Sequence, residues 1–226
     1  MKRFAWFFAA ACLYGCSDSS PKVEPSKTAE TKAKPAPVKR IVESNAIVPI
    51  VSTAGKFTIV PPAGWRGSDL TPAAISEMSK KLSEVTAPLG ENYERQATAL
   101  MNAQGTVIAF DIRPSKVKYG FADNLSGFTR PNTKEELEKL ISEAKSLSSN
   151  AAEQKKFSTP LGSIYRIKVI QPSRTVSGYD YKVAHFVYLI MRPKRIHAIR
   201  FSTVSDKELI LEPEFKKSIE TIKFSE

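Results

Sequence analysis

An α+β domain, with a mostly antiparallel sheet sandwiched between helices, is the fold class this 226-residue sequence predicts. Three observations predict it. The last quarter of the chain carries two long β-branched and aromatic runs, Tyr181 to Met191 and Arg195 to Val204, joined by the short basic link Arg192-Pro193-Lys194-Arg195. If that link is a turn, Met191 pairs with Ile196. One face of the hairpin then carries Val183, His185, Val187, Leu189, Ile196 and Ala198, and the other Ala184, Phe186, Tyr188, Ile190, Ile199 and Phe201. A strand pair that is apolar on both faces needs cover on both. The third observation supplies the cover: three stripes of apolar residues at helical spacing stand elsewhere in the chain.

In chain order, Lys56 to Val60 reads as a strand ended by Pro61-Pro62, because two prolines cannot donate ladder hydrogen bonds. Ala63-Gly64 turns the chain and Trp65 packs back. A helix is predicted from Pro72 to Val85, with Thr71 as N-cap, Pro72 at the first position, and Ile75, Met78, Leu82 and Val85 on one face. Pro88 and Gly90 read as its stop. Gln96 to Met101 and Thr106 to Ile112 read as a strand pair about Asn102-Ala103-Gln104-Gly105. Arg113 to Pro131 reads as a long loop. The second helix spans Lys134 to Leu147: Thr133 and Glu136 make a capping box, and Leu137, Leu140, Ile141, Ala144 and Leu147 form the stripe. Ser163 to Ile170 is the strand before the closing pair. Pro213 opens a final helix with Phe215, Ile219 and Ile222 on one side.

Ahead of this domain, residues 1–15 have the order of an export signal: Lys2 and Arg3, an apolar run from Phe4 to Leu13, and a small residue before Cys16. The run is about ten residues, roughly half of what a spanning helix needs. Leu13-Tyr14-Gly15-Cys16 resembles the lipobox of bacterial lipoproteins, with Tyr14 where a smaller residue is usual. The resemblance implies acylation of Cys16 and a membrane anchor. Residues 16–47 read as a flexible linker. Pro21, Pro25, Pro35 and Pro37 stand among Ser, Thr, Ala, Lys and Glu, with too little apolar surface to fold. In a polyproline-like state the linker reaches ~90 Å. The domain occupies 48–226. Ser17, following Cys16, resembles the sorting residue of outer-membrane lipoproteins, so the expected location is lipid-anchored on the outer membrane, facing the periplasm.

Formal net charge is +11 and stays positive when residues 1–47 are set aside. In an exported chain this points to anionic head groups, other envelope anions or an acidic protein partner, and away from nucleic acid. Both cysteines, Cys12 and Cys16, precede the domain, which therefore has no disulfide, thiolate nucleophile or Cys-based metal site. GxSxG, HExxH, CxxC, Walker and GxGxxG motifs are absent. In the hairpin register His185 faces Ser202 and His197 faces Ile190, on opposite faces and ~17 Å apart, which argues against a shared metal site. No cofactor and no metal are expected. A cofactor-independent enzyme would have to use Asp111, Asp123 and Asp180, strand-end carboxylates of a kind more often found in turn roles. A small-ligand carrier is a further alternative. It needs a concave apolar pocket, and a doubly covered sheet leaves little room for one.

Two surfaces have the composition of a binding site. Lys116-Val117-Lys118-Tyr119-Gly120-Phe121, continuing to Phe128-Thr129-Arg130, interleaves aromatics with cations as interface hot spots do. Its candidate contacts are Lys116, Lys118, Tyr119 and Phe121. The second surface is the hairpin tip, with Arg192, Lys194 and Arg195.

The opening stretch Phe57-Thr58-Ile59-Val60-Pro61-Pro62-Ala63-Gly64-Trp65 is similar to the first strand and Pro-x-Gly-Trp turn of the PsbP-like superfamily, which includes envelope lipoproteins of the DcrB type. The C-terminal third, from Ile164 through the long hairpin to Pro213-Glu214-Phe215-Lys216-Lys217-Ser218-Ile219, Ile222 and Phe224, resembles it too. The resemblance implies a fold used mainly for protein–protein work, with Trp65 and Phe215 as core anchors and no shared active site. The expected function is a lipid-anchored, non-enzymatic binding or accessory module for another envelope component.

Overall fold

The computed structural model of this chain describes residues 48–113, 123–148, 152–171, 174–176 and 179–225. Its elements run β1 (Ile50–Ser52), β2 (Phe57–Ile59), β3 (Trp65–Asp69), α1 (Pro72–Ser83), α2 (Ala87–Asn102), β4 (Gly105–Asp111), β5 (Asn124–Pro131), α3 (Lys134–Lys145), β6 (Glu153–Thr159), β7 (Gly162–Ile170), β8 (Arg174–Val176), β9 (Tyr179–Tyr181), β10 (Val183–Met191), β11 (Arg195–Val204), α4 (Glu208–Glu220) and β12 (Lys223–Phe224). Seven strands form one antiparallel sheet in the order β3-β4-β5-β11-β10-β7-β6. A small sheet has the order β1-β2-β12, and β8 pairs with β9.

The closing hairpin has the register its sequence predicts: Met191 pairs with Ile196, His185 with Ser202 and His197 with Ile190. Strand alternation then divides the core. Val187, Leu189, Ile196 and Ala198 join Ile75, Leu82, Leu89, Tyr93, Leu140 and Ala144 of α1, α2 and α3. Ala184, Phe186, Tyr188, Ile190, Ile199 and Phe201 join Phe215 and Ile219 of α4 with Ile50, Phe57 and Ile59 of the small sheet. The sheet is therefore covered on both faces, as two apolar faces require. Trp65 and Phe215 meet in this second core, ring centroids 5.8 Å apart.

The helix caps follow the sequence. Thr71 Oγ1 accepts from the Ala74 amide and Thr133 Oγ1 from the Glu136 amide. Five expectations are corrected. Pro88 and Gly90 do not stop a helix; they lie in the first turn of α2, which also takes in the expected strand Gln96–Met101. Leu89, Tyr93, Ala97 and Leu100 are buried at helical spacing, and that period outweighs strand propensity. The expected hairpin turn is the exit from α2, with Gln104 in the left-handed region at φ 59°. Within the expected long loop, residues 124–131 form β5, a strand paired on both edges. Its Ser126, Gly127 and Arg130 hid the strand pattern. The last helix begins at Glu208, and Pro213 lies inside it. Pro213 cannot donate to the Leu209 carbonyl, but Leu209 is 80% exposed, so water can take that bond. Strands β1, β3, β6, β8, β9 and β12 were not expected.

Gly90 is where α1 and α2 touch. A Cβ there would run into the Ser83 side chain and stand 2.5 Å from the Ser79 carbonyl oxygen. Ser79 Oγ donates to the Gly90 carbonyl at 3.1 Å, which fixes this approach. Gly90→Ala gains ~1 kcal/mol of helix propensity. We expect a net loss of about 1–2 kcal/mol in urea unfolding, because overpacking outweighs that gain. A stabilised variant would contradict the close contact.

Candidate functional site

The turn between β10 and β11 brings together side chains from three separate stretches of chain. Arg192 N–H donates to the Arg195 carbonyl at 2.8 Å and closes the turn. Asn132, just past β5, braces it from the side: its Nδ2 donates to the Arg192 carbonyl at 2.7 Å and its backbone N–H to the Lys194 carbonyl at 3.1 Å. Arg195 Nη1 reaches the Ala54 carbonyl of the β1–β2 turn at 3.1 Å. The Arg192 guanidinium lies over the Phe224 ring, 4.8 Å from its centroid, and Nη1 donates to the Leu161 carbonyl at 3.4 Å. Phe224 pairs with Phe57 across the small sheet, and the Ser225 amide donates to the Lys56 carbonyl at 3.0 Å.

These bonds gather Lys56, Arg192, Lys194, Arg195 and Lys223 at one end of the molecule. Lys56, Lys194 and Lys223 are exposed, whereas the two arginines are partly buried against the small sheet. Residues 48–60, 191–199 and 221–225 contain no Asp or Glu. Glu226, the residue that follows, lies outside the described residues.

His197 lies beneath this end, 4% exposed, between the rings of Phe57 at 5.5 Å and Phe224 at 4.6 Å. Its Nδ1 is 3.5 Å from Thr129 Oγ1. Burial pushes its pKa down from 6.5 to about 4, with the Arg195 and Arg192 charges acting in the same direction. The imidazole thus registers the positive potential of the tip from below.

Of the hairpin candidates, then, Lys194 points to solvent, while Arg192 and Arg195 hold the small sheet in place as they carry their charge. Lys116, Lys118, Tyr119 and Phe121 lie outside the described residues, as does Cys16. Asn124, where β5 begins, pairs with Ser202, seven residues or ~24 Å of strand from Arg195. The continuation Phe128-Thr129-Arg130 runs within β5, and Phe128 is buried with Arg130 over its ring at 5.9 Å.

Two of the carboxylates singled out for a possible reaction, Asp111 and Asp123, accept hydrogen bonds from neighbouring groups. Asp111 accepts from Arg113 Nε at 2.8 Å, Nη2 at 2.6 Å and the backbone N–H at 3.0 Å. Asp123 accepts from Thr203 Oγ1 at 2.6 Å, Lys207 Nζ at 2.6 Å and the Val204 N–H at 3.4 Å. It ties the start of β5 to the approach to α4. Asp180 pairs with Thr175 in the β8–β9 hairpin through its backbone, and its side chain lies outside the described residues. Among the described residues no group of three His, Cys, Asp or Glu could hold a metal ion, and no helix is long and apolar enough to cross a membrane.

Lys56 and Lys223 were not found from the sequence. The pairing that places them, Phe57 with Phe224, joins the two ends of the domain, and no local pattern announces it.

No family model matches the sequence, and no curated protein matches it. Among solved structures it is similar to the solution structure of cyanobacterial PsbP from Synechocystis sp. PCC 6803, at 12% identity and a TM-score of 0.44, over 81% of this chain and 95% of that one. The α+β assignment rests on the sheet and its two cores themselves.

Proposed function

We propose that this chain is a lipid-tethered envelope protein whose domain, of PsbP-like type, serves as a non-enzymatic binding module for an anionic component of the envelope. The observation that carries this reading is the basic end: five cations from three stretches of chain, fixed by backbone hydrogen bonds, with no carboxylate in those stretches. Such a cluster is repulsive in isolation and gains most when an anion lies against it. Anchoring through Cys16 would hold the module within reach of its target, which raises the effective concentration without any new contact.

A photo-crosslinking residue at the exposed Pro193, in the full chain and in cells, tests this. We expect a defined envelope species to be captured. Capture should fall at least tenfold in Lys56→Glu/Lys194→Glu/Lys223→Glu, because each rim cation contributes ~1 kcal/mol near an anionic surface. It should also fall in Cys16→Ala. Capture that is unchanged by charge reversal would refute the reading.

A further inference from the structure

Resting on that reading, we infer that the anionic component is the lipid bilayer surface itself, and that the basic end is where the domain lies down on it. The three exposed lysines differ in origin but share one setting. Lys56 is in the β1–β2 turn, Lys194 is at the tip of the β10–β11 turn, and Lys223 stands beside the last residues of the described chain. All three are exposed. A phosphate-sized ligand needs a concave site with convergent donors. Here the inward-facing donors are already used: Arg195 on the Ala54 carbonyl and Arg192 on the Leu161 carbonyl. What remains free to act outward is a set of exposed lysines, two in turns and Lys223 in β12, near the exposed small residues Ala54 and Pro193. Spread, exposed cations suit an extended sheet of negative charge.

The test is co-sedimentation of the full chain with phosphatidylglycerol vesicles and with phosphatidylcholine vesicles, in low and in physiological salt. Residues 1–47 can associate with either vesicle, so the comparison is between two variants matched in charge. Lys56→Gln/Lys194→Gln/Lys223→Gln removes the basic end, and Lys80→Gln/Lys145→Gln/Lys216→Gln removes three exposed helix lysines. Each cation near an anionic surface is worth about fivefold, so the first variant should lose on the order of a hundredfold in its preference for phosphatidylglycerol. The second should stay within a few-fold of the parent, and added salt should shrink the difference. Equal losses in the two variants would mean diffuse attraction by net charge and overturn the assignment of this end. Tighter capture by soluble poly-glutamate than by vesicles would overturn the bilayer as the occupant. In either case a defined adduct at Pro193 would leave the binding-module reading standing.

Discussion

Phe215→Ala is expected to lower the folding free energy by about 3–5 kcal/mol, measured as a shift of the urea midpoint at unchanged slope. Phe215 is fully buried and sits at the centre of an aromatic cluster. It stacks on Phe201 at 4.6 Å with 16° between planes, and meets Phe186 at 5.4 Å and Trp65 at 5.8 Å edge-on. Those partners belong to β11, β10 and β3, so one side chain joins α4 to three strands. Removing it leaves a cavity walled by rings that cannot collapse without shifting the sheet. A domain of this size has roughly 5–15 kcal/mol in total, so the variant should stand near its unfolding threshold at 37 °C. Leu209→Ala on the same helix makes the control, because Leu209 is exposed and its loss should stay within about 0.5 kcal/mol. Comparable effects from the two substitutions would mean that α4 does not pack as described.

Phe215 also shows what could be read from the chain alone. The closing hairpin was legible to the residue, because two apolar faces and a four-residue link leave one register. The helix stripes and their threonine caps were legible for the same reason: local period and local chemistry agree. The failures came where local signals pointed the wrong way. Pro88-Leu89-Gly90 has the composition of a helix stop, yet Pro88 suits a first turn and Gly90 is demanded by the Ser79 backbone of the neighbouring helix. Pro213 has the look of a helix start, yet the buried Leu211 continues the stripe of Phe215 and Ile219 backwards. For β5, the alternation that marks a strand is masked by Arg130 and Ser126, which point toward the helix layer with Phe128. The basic end was half visible. Arg192, Lys194 and Arg195 are close in sequence and stood out; Lys56 and Lys223 come beside them through the pairing of β2 with β12 and its contacts to the hairpin tip.

Stability should fall as the medium is acidified from pH 7 to 5, by about 2 kcal/mol from His197 alone. The folded chain holds this imidazole at about 4, against 6.5 when free. A base whose folded pKa is depressed is neutral when folded and takes up its proton on unfolding. The stability it contributes is therefore fully present above 6.5, and is lost as pH falls toward 4. Its surroundings explain the direction. Phe57 and Phe224 pack against the ring and Thr129 offers one hydroxyl, so burial comes first. The charges of Arg195 and Arg192, side chains tied to the Ala54 and Leu161 carbonyls with Arg192 over the Phe224 ring, come next. A difference of this size corresponds to ~1.4 kcal/mol per pKa unit, and the window above pH 5 lies above the range in which most carboxylates titrate. His197→Phe keeps an aromatic ring between Phe57 and Phe224 but cannot charge. Its urea midpoint should stay nearly flat from pH 7 to 5, apart from whatever His185 contributes equally to both proteins. Parallel slopes for the parent and His197→Phe would show that folding does not depress the imidazole's pKa, and would contradict its burial between Phe57 and Phe224.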